Sequence, residues 1–400
     1  MTAAYHALVL SLHQPPGNLE YLLRHDEWSA KEILYAIDRI PRSLWSYEDI
    51  ARVHLSLSGT LLETLSHPLF QNRVYGIIDC GAFLEYLQNT RLFELLGSGY
   101  YHPVLPLIPC ADWDEQLHRW LGIARYLFGR PCFSGFWPPE MGFCMEMIPL
   151  LKRYGYNYAL VDSEHVEPIT PMNWWEKRYR PHIARYGGEE IVVVVRDRDL
   201  SNAQESGMDA TWFINQVQEK TQGCEFAPLV TTCSTGENGN WFRNITTGNN
   251  FWTAFYQRFL ERARQDNCHI KPIFISEYLQ RYGTFGEVNI GPGAWNTGWH
   301  SGKGFVQWVG SPSQRAALTR VAELSQAIRE ARRNANALGK QNSDLLYHLD
   351  EALWHVLRAE TSCNFFWGET WVPRCHSDLD TARYHLECAD TAFRGSQANP

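Results

Sequence analysis

Glu140 is the acidic side chain in this sequence placed most like a reactive group. It follows Phe136-Trp137-Pro138-Pro139, so it comes after an apolar run that two prolines stop, beside a flat aromatic ring and on stiffened backbone. Residues 133–165 read as strand, carboxylate, amphipathic helix and second strand, which is one βαβ unit. In barrels and open sheets of such units, chemistry sits at the carboxyl ends of the strands, where loops hold the side chains. A carboxylate there suits nucleophilic or acid–base work. The plain alternative is a cap on the following helix, which also favours negative charge. Other polar groups recur at expected strand ends: His13, His102, Asp162, Asp199, and the TCSTGEN stretch with Thr235 and Glu237. Side chains at one rim of a barrel converge on its axis, so this recurrence points to a shared pocket. No HExxH or close histidine pair offers ligand spacing, and no metal is expected.

The elements that must position these groups are legible as apolar runs. HALVLSL (6–12), VHLSLSG (53–59), the segment 93–109, GYNYALVD, the Val-rich run ending at Arg196, FAPLVTTC (226–233) and IKPIFIS (270–276) read as strands separated by helical patterns. The pair Gly187-Gly188 predicts a hairpin turn ahead of the Val-rich strand. Seven or eight such strands predict a parallel, barrel-like α/β sheet over residues 1–285. Beyond it the texture changes to GPGAWNTGWHSGKG, with two exposed-looking rings, Trp295 and Trp299. Helical stretches at roughly 312–338, 342–360 and 376–395 predict a bundle over 286–400 that folds back on the barrel. Between the last two lies CNFFWGETWVPRCH, too aromatic for a plain connector.

Composition narrows the function. A net charge of −8 over 400 residues leaves no basic footprint, which excludes nucleic acid as a partner. No apolar run is long enough to span a membrane, and the opening residues read as a first strand and not a signal peptide. Ten cysteines without a CxxC pair read as reduced core thiols, so the expected location is cytoplasmic. Oligomeric state leaves no trace in the sequence. Sixteen tryptophans and nineteen tyrosines, several in Gly- or Pro-rich stretches, provide flat surfaces with a polar edge, which suit sugar rings. Trp137, Trp241, Trp299 and Trp367 are the candidate platforms.

Taken in order, HQP after the first strand, SGYYHPVLPLIP, WPPE, RDRDLS and TGEN resemble glycoside hydrolase family 57, the retaining α-glucan-active enzymes. The resemblance implies a distorted (β/α)7 barrel followed by a C-terminal helical bundle, acting on α-1,4 or α-1,6 glucans or malto-oligosaccharides without a required cofactor. By position, Glu140 matches the family's nucleophile, His13 and His102 its first- and second-motif histidines, and Trp137 the aromatic before the nucleophile. Retaining chemistry needs a second carboxyl about 5–5.5 Å away to protonate the leaving oxygen. Where the family carries Asp-Gly-Glu, this chain has Thr235-Gly236-Glu237, and SCNFFWGE lacks an aspartate after its serine. A threonine hydroxyl does not titrate near neutrality, and losing the acid removes a factor of roughly 10²–10⁴. Three readings stay open: Glu237 has taken over the acid role, the acid comes from Asp199 or Asp162, or the chain binds or senses glucan without cleaving it. In the first reading His13, His102 and Asp199 hold substrate hydroxyls.

Overall fold

Strand β1 (Ala4–Leu12) sets the frame. Ala7 and Val9 belong to one buried cluster and Leu8, Leu10 and Leu12 to another, the alternation that a strand covered on both faces requires. Six further strands follow: β2 (Val53–Leu57), β3 (Phe93–Leu96), β4 (Gly135–Phe136), β5 (Tyr158–Asp162), β6 (Glu189–Arg196) and β7 (Leu229–Thr235). The computed structural model describes residues 3–243, 248–295, 304–337, 339 and 342–395.

Each strand runs parallel to its neighbours in sequence, and β7 returns to pair with β1 along Tyr5–Ser11. The seam between β3 and β4 is a parallel bridge of Gly97 to Phe136, in which Trp137 N–H donates to the Gly97 carbonyl at 2.8 Å. The result is a nearly closed barrel of seven strands. It is distorted because β4 is two residues long and β6 meets β7 at one residue pair, Arg196 with Thr231. The seam depends on glycine, since a Cβ at Gly97 would lie 2.1 Å from the Tyr156 hydroxyl.

The expected hairpin is present. His182–Tyr186 lies antiparallel to β6, and both turn glycines take positive φ, 60° at Gly187 and 82° at Gly188. The run at 270–276 shortens to Ile270–Pro272, which pairs with the start of β1 outside the ring. Between β6 and β7, helix α1 (Arg198–Ser206) begins where the Asp197 carboxylate accepts from the Leu200 amide at 3.0 Å.

Residues after the last crossover stay on the barrel for a while. Val288–Ile290 pairs antiparallel with Val166–Pro168, and Phe143 bridges Gly293. Three long helices follow: α2 (Pro312–Ala337), α3 (Ser343–Ala359) and α4 (Val372–Gly395). Val321, Leu353 and Ala382 from these helices lie in the same buried cluster as Ala7, Val9 and Leu160 from the barrel, so bundle and barrel interior share a core. Among the described residues no helix is long and apolar enough to cross a membrane.

Candidate active site

Glu140 stands two residues beyond the Trp137-Pro138 step that leaves β4. Its backbone takes φ 56°, as does that of His102, and Met141 takes 52°. Left-handed geometry at three residues with side chains is costly, at about 1–3 kcal/mol each, and persists only where the surroundings fix it. What fixes Glu140 is a pair of donors. Ser362 Oγ–H donates to Oε1 at 2.7 Å and Trp295 Nε1–H donates to Oε2 at 2.8 Å, while the Trp295 amide donates to the Glu140 carbonyl at 3.0 Å. Burial pushes the carboxyl above its ordinary range, and the two donors pull it back.

The histidines stack beside it. His13 and His102 lie with ring centroids 4.1 Å apart and 11° between planes, and His102 Nδ1 is 3.6 Å from Glu140 Oε1. Burial drops His102 to about 3 and holds His13 well below the ordinary imidazole range, so both rings are neutral at pH 7. Ser362 has one hydroxyl hydrogen, and Glu140 takes it. The 3.2 Å contact of His102 Nδ1 with Ser362 Oγ therefore needs Nδ1 as the donor, which leaves Nε2 as a lone-pair acceptor. Nε2 of both histidines is buried without a partner among the described residues.

Arg196, at the end of β6, is the buried cation of the site. Its guanidinium donates to Asp162 Oδ2 at 2.8 Å and lies 5.7 Å from the centre of the Trp295 ring. Asp162 also takes Arg198 on Oδ1 at 2.7 Å. Burial pushes the Asp162 carboxyl up, but the two arginines outweigh it and hold it below the usual range, so it keeps no proton to donate.

The remaining sequence candidates separate. Glu237 is fully enclosed, and its Oε1 accepts from the His13 amide at 2.9 Å and from Asn238 at 3.1 Å. That ties the end of β7 to the His13 loop. Its Oε2 has no partner among the described residues, and burial raises the group to about 7. Trp137 is fully buried and meets Trp295 edge-on at 5.4 Å. Trp241 is half-buried, with its ring over Gly207. Trp367 is 55% exposed, beyond Ser362, and Trp299 lies outside the described residues.

Two expectations are corrected. Asp199 does not enter the pocket: Asp197 takes the N-cap, the helix starts one residue later, and Asp199 faces outward, 68% exposed, to pair with Lys220 at 3.1 Å. Trp295 is not an exposed ring. It is 6% exposed and buried against Trp137 because its N–H serves Glu140.

Sequence reasoning missed Ser362, Arg196 and Glu205. Glu205 is on α1, whose Gln204 donates to Ser234 Oγ at 2.6 Å, so this face of the helix packs on the end of β7. There the Glu205 carboxyl lies against the Thr235 hydroxyl, which has no full hydrogen bond of its own. Burial raises Glu205, and its charge in turn raises Glu140. A recess of about 240 Å³ opens nearby, with Pro15, Pro16, Thr361, Asn364 and Trp371 in its walls, residues that adjoin Gln14 and Ser362.

Residues 18–291, more than half of the chain, match the model of Glycosyl hydrolase family 57. An alpha-amylase of Pyrococcus horikoshii is 28% identical over 189 residues, covering 47% of this chain and 27% of that protein. A 4-alpha-glucanotransferase of Thermococcus kodakarensis is 24% identical over 283 residues, 70% of this chain and 39% of its own length. The matches thus span less than two fifths of these relatives. The solved GH57-type branching enzyme of Pyrococcus horikoshii superposes at TM-score 0.70 and 15% identity, over 96% of this chain and 88% of that one. The 4-alpha-glucanotransferase of Thermococcus litoralis gives 0.65 at 19% identity, over 97% and 60%. At such identities the likeness is one of fold. With a family match that runs through His102, Glu140 and Glu237, the chain belongs to glycosyl hydrolase family 57.

Proposed function

We propose that this protein acts on α-glucans or malto-oligosaccharides by a retaining hydrolase or transglycosylase mechanism, with Glu140 as nucleophile. The observation that carries the reading is the double clamp on Glu140. Ser362 and Trp295 hold one hydrogen bond on each oxygen, and a neutral His102 stands beside them. Donors on both oxygens orient a carboxylate for attack on an anomeric carbon and favour its ionised form against the effect of burial.

The acid/base in this reading is Glu205. Asp162 is saturated by two arginines, and Glu237 is enclosed and spends an oxygen on the His13 amide. Glu205 is partly exposed, raised by burial and set against Thr235, where the family's aspartate would stand. A carboxyl whose protonated form burial favours protonates the departing glycosidic oxygen as Glu140 bonds to the anomeric carbon; its carboxylate then takes a proton from the incoming water or sugar hydroxyl. With ten free cysteines, the proposed setting is the reducing cytoplasm.

The test is turnover of maltoheptaose and of an aryl α-maltoside, whose leaving group needs no proton, by wild type, Glu140→Gln and Glu205→Gln. Glu140→Gln is expected to lose both activities. Glu205→Gln is expected to lose maltoheptaose cleavage, to release the aryl group in a burst that then stalls for want of a base, and to regain aryl-glycoside turnover with an α-glycosyl azide as product when azide is added. A wild type that binds malto-oligosaccharide yet turns over neither substrate ends the enzyme reading. Thr235 in place of a titratable residue would then mark a glucan-binding or regulatory protein on the same fold.

A further inference from the structure

The geometry points to a divalent transition-metal site, suited to zinc, that clamps helices α3 and α4 of the bundle through Glu351, His355 and His385, with His348 alongside. On α3 His348, Glu351 and His355 lie at i, i+3 and i+7, a spacing that puts them on one face of a helix. α4 delivers His385 to that face. The ligand atoms of Glu351, His355 and His385 lie within 4.8 Å of one another. His348 and His385 point their Nδ1 atoms at each other across 2.9 Å, and His355 stacks on His385 with centroids 6.0 Å apart.

Two imidazoles and a carboxylate converge there, and a third imidazole, that of His348, stands against His385. Two Nδ1 atoms at hydrogen-bond distance satisfy each other only if one carries the proton and the other does not. Converging lone pairs, by contrast, are what a cation needs. Tetrahedral zinc with nitrogen ligands at about 2.0–2.1 Å sets those nitrogens roughly 3.3 Å apart, so the 4.8 Å group closes on an ion when each side chain moves by under about 1 Å. A further contact points the same way. His355 Nδ1 lies 3.2 Å from Asp378 Oδ1, and a proton held there leaves Nε2 unprotonated for the metal. Metal-ligating histidines are oriented by a carboxylate in this manner. Neutral imidazoles with one carboxylate favour zinc, cobalt or nickel over magnesium or calcium, which prefer all-oxygen cages. The cluster belongs to the helical bundle, and its proposed role is to cross-link α3 to α4.

The experiment uses the full chain without an affinity tag, stripped with chelator, then titrated with cobalt(II) chloride and, separately, zinc chloride. One cobalt per chain with the intense visible bands of a tetrahedral site is expected, displaced by one zinc, and zinc should raise the unfolding temperature by several degrees. His385→Ala and Glu351→Gln are expected to abolish the bands and the zinc-dependent shift. The metal-free unfolding temperature of each variant, compared with metal-free wild type, shows that it remains folded. Absence of stoichiometric binding, or binding unchanged by His385→Ala, overturns the site. Bands of octahedral intensity that persist in Glu351→Gln overturn it equally.

Discussion

Trp295 donates its indole N–H to Glu140 Oε2 at 2.8 Å, from a segment more than 150 residues beyond the glutamate. Trp295→Phe keeps a ring against Trp137 and removes only the donor. A hydrogen bond to a charged group contributes about 1.5–3 kcal/mol, so kcat/KM is expected to fall roughly 10- to 100-fold. The donor favours the ionised carboxyl; without it, the already raised Glu140 rises further, and the acid limb of the kcat/KM–pH profile moves to higher pH. A profile whose limb stays put would mean that this bond does not set the ionisation of Glu140.

Glu237 makes a separable prediction about stability. Its carboxyl titrates at about 7 in the folded chain against an ordinary 4.5, so folding favours the protonated form. The stability from this group is present in full below about pH 4.5 and is lost as pH rises through 7, a difference on the order of 3 kcal/mol. Glu237→Gln mimics the protonated side chain and still accepts from the His13 amide. It is therefore expected to match wild type in urea unfolding at pH 4.5 and to exceed it at pH 8. Destabilisation at pH 8 would show that the fold wants the carboxylate. Abolished turnover in a variant of intact stability would move the acid role from Glu205 to Glu237.

The contrast between these residues shows what the sequence could and could not disclose. Period-2 apolar runs and the Gly187-Gly188 turn mark the barrel strands because backbone geometry imposes those patterns locally. Glu140, His13 and His102 were legible because strand ends gather on one rim. Ser362 and Trp295 were not legible as partners of Glu140, because the pairing is made by the bundle and its connector closing over the barrel. Asp199 misled because Asp197, two residues earlier, fits the N-cap equally well in the RDRD run, and the helix phase then turned Asp199 outward. Glu205 gave no signal, since a glutamate inside a polar helix reads as a solvated face until the helix is docked on β7.

The barrel seam offers a test of the fold itself. A Cβ at Gly97 would meet the Tyr156 ring at 2.4 Å or less, and the Tyr156 hydroxyl is buried without a partner among the described residues. Tyr156→Phe is expected to change stability little or to raise it slightly, since it removes an unsatisfied buried group. Gly97→Ala is expected to cost at least about 1–3 kcal/mol through overpacking. Combined with Tyr156→Ala, which vacates the space, Gly97→Ala should cost measurably less than it does alone. Strict additivity in urea unfolding would show that the ring does not close through this contact.

Two tryptophans from the sequence reading should part company when changed. Trp367 is 55% exposed, tilted 40° to Trp371 at 6.4 Å, and Trp371 lines the recess beside Pro15 and Pro16. Loss of a stacking platform of that kind removes about 1 kcal/mol of binding shared by ground state and transition state. Trp367→Ala is thus expected to raise KM several-fold for long malto-oligosaccharides, leave kcat in place and leave maltotriose nearly unaffected. Trp137 is fully enclosed, so Trp137→Ala should act through packing, costing about 3–5 kcal/mol of stability before any effect on binding is seen. If Trp367→Ala lowered kcat with KM unchanged, the ring would be touching the reacting sugar and not a distant one, and the recess by Pro15 and Trp371 would have to be placed next to the scissile bond.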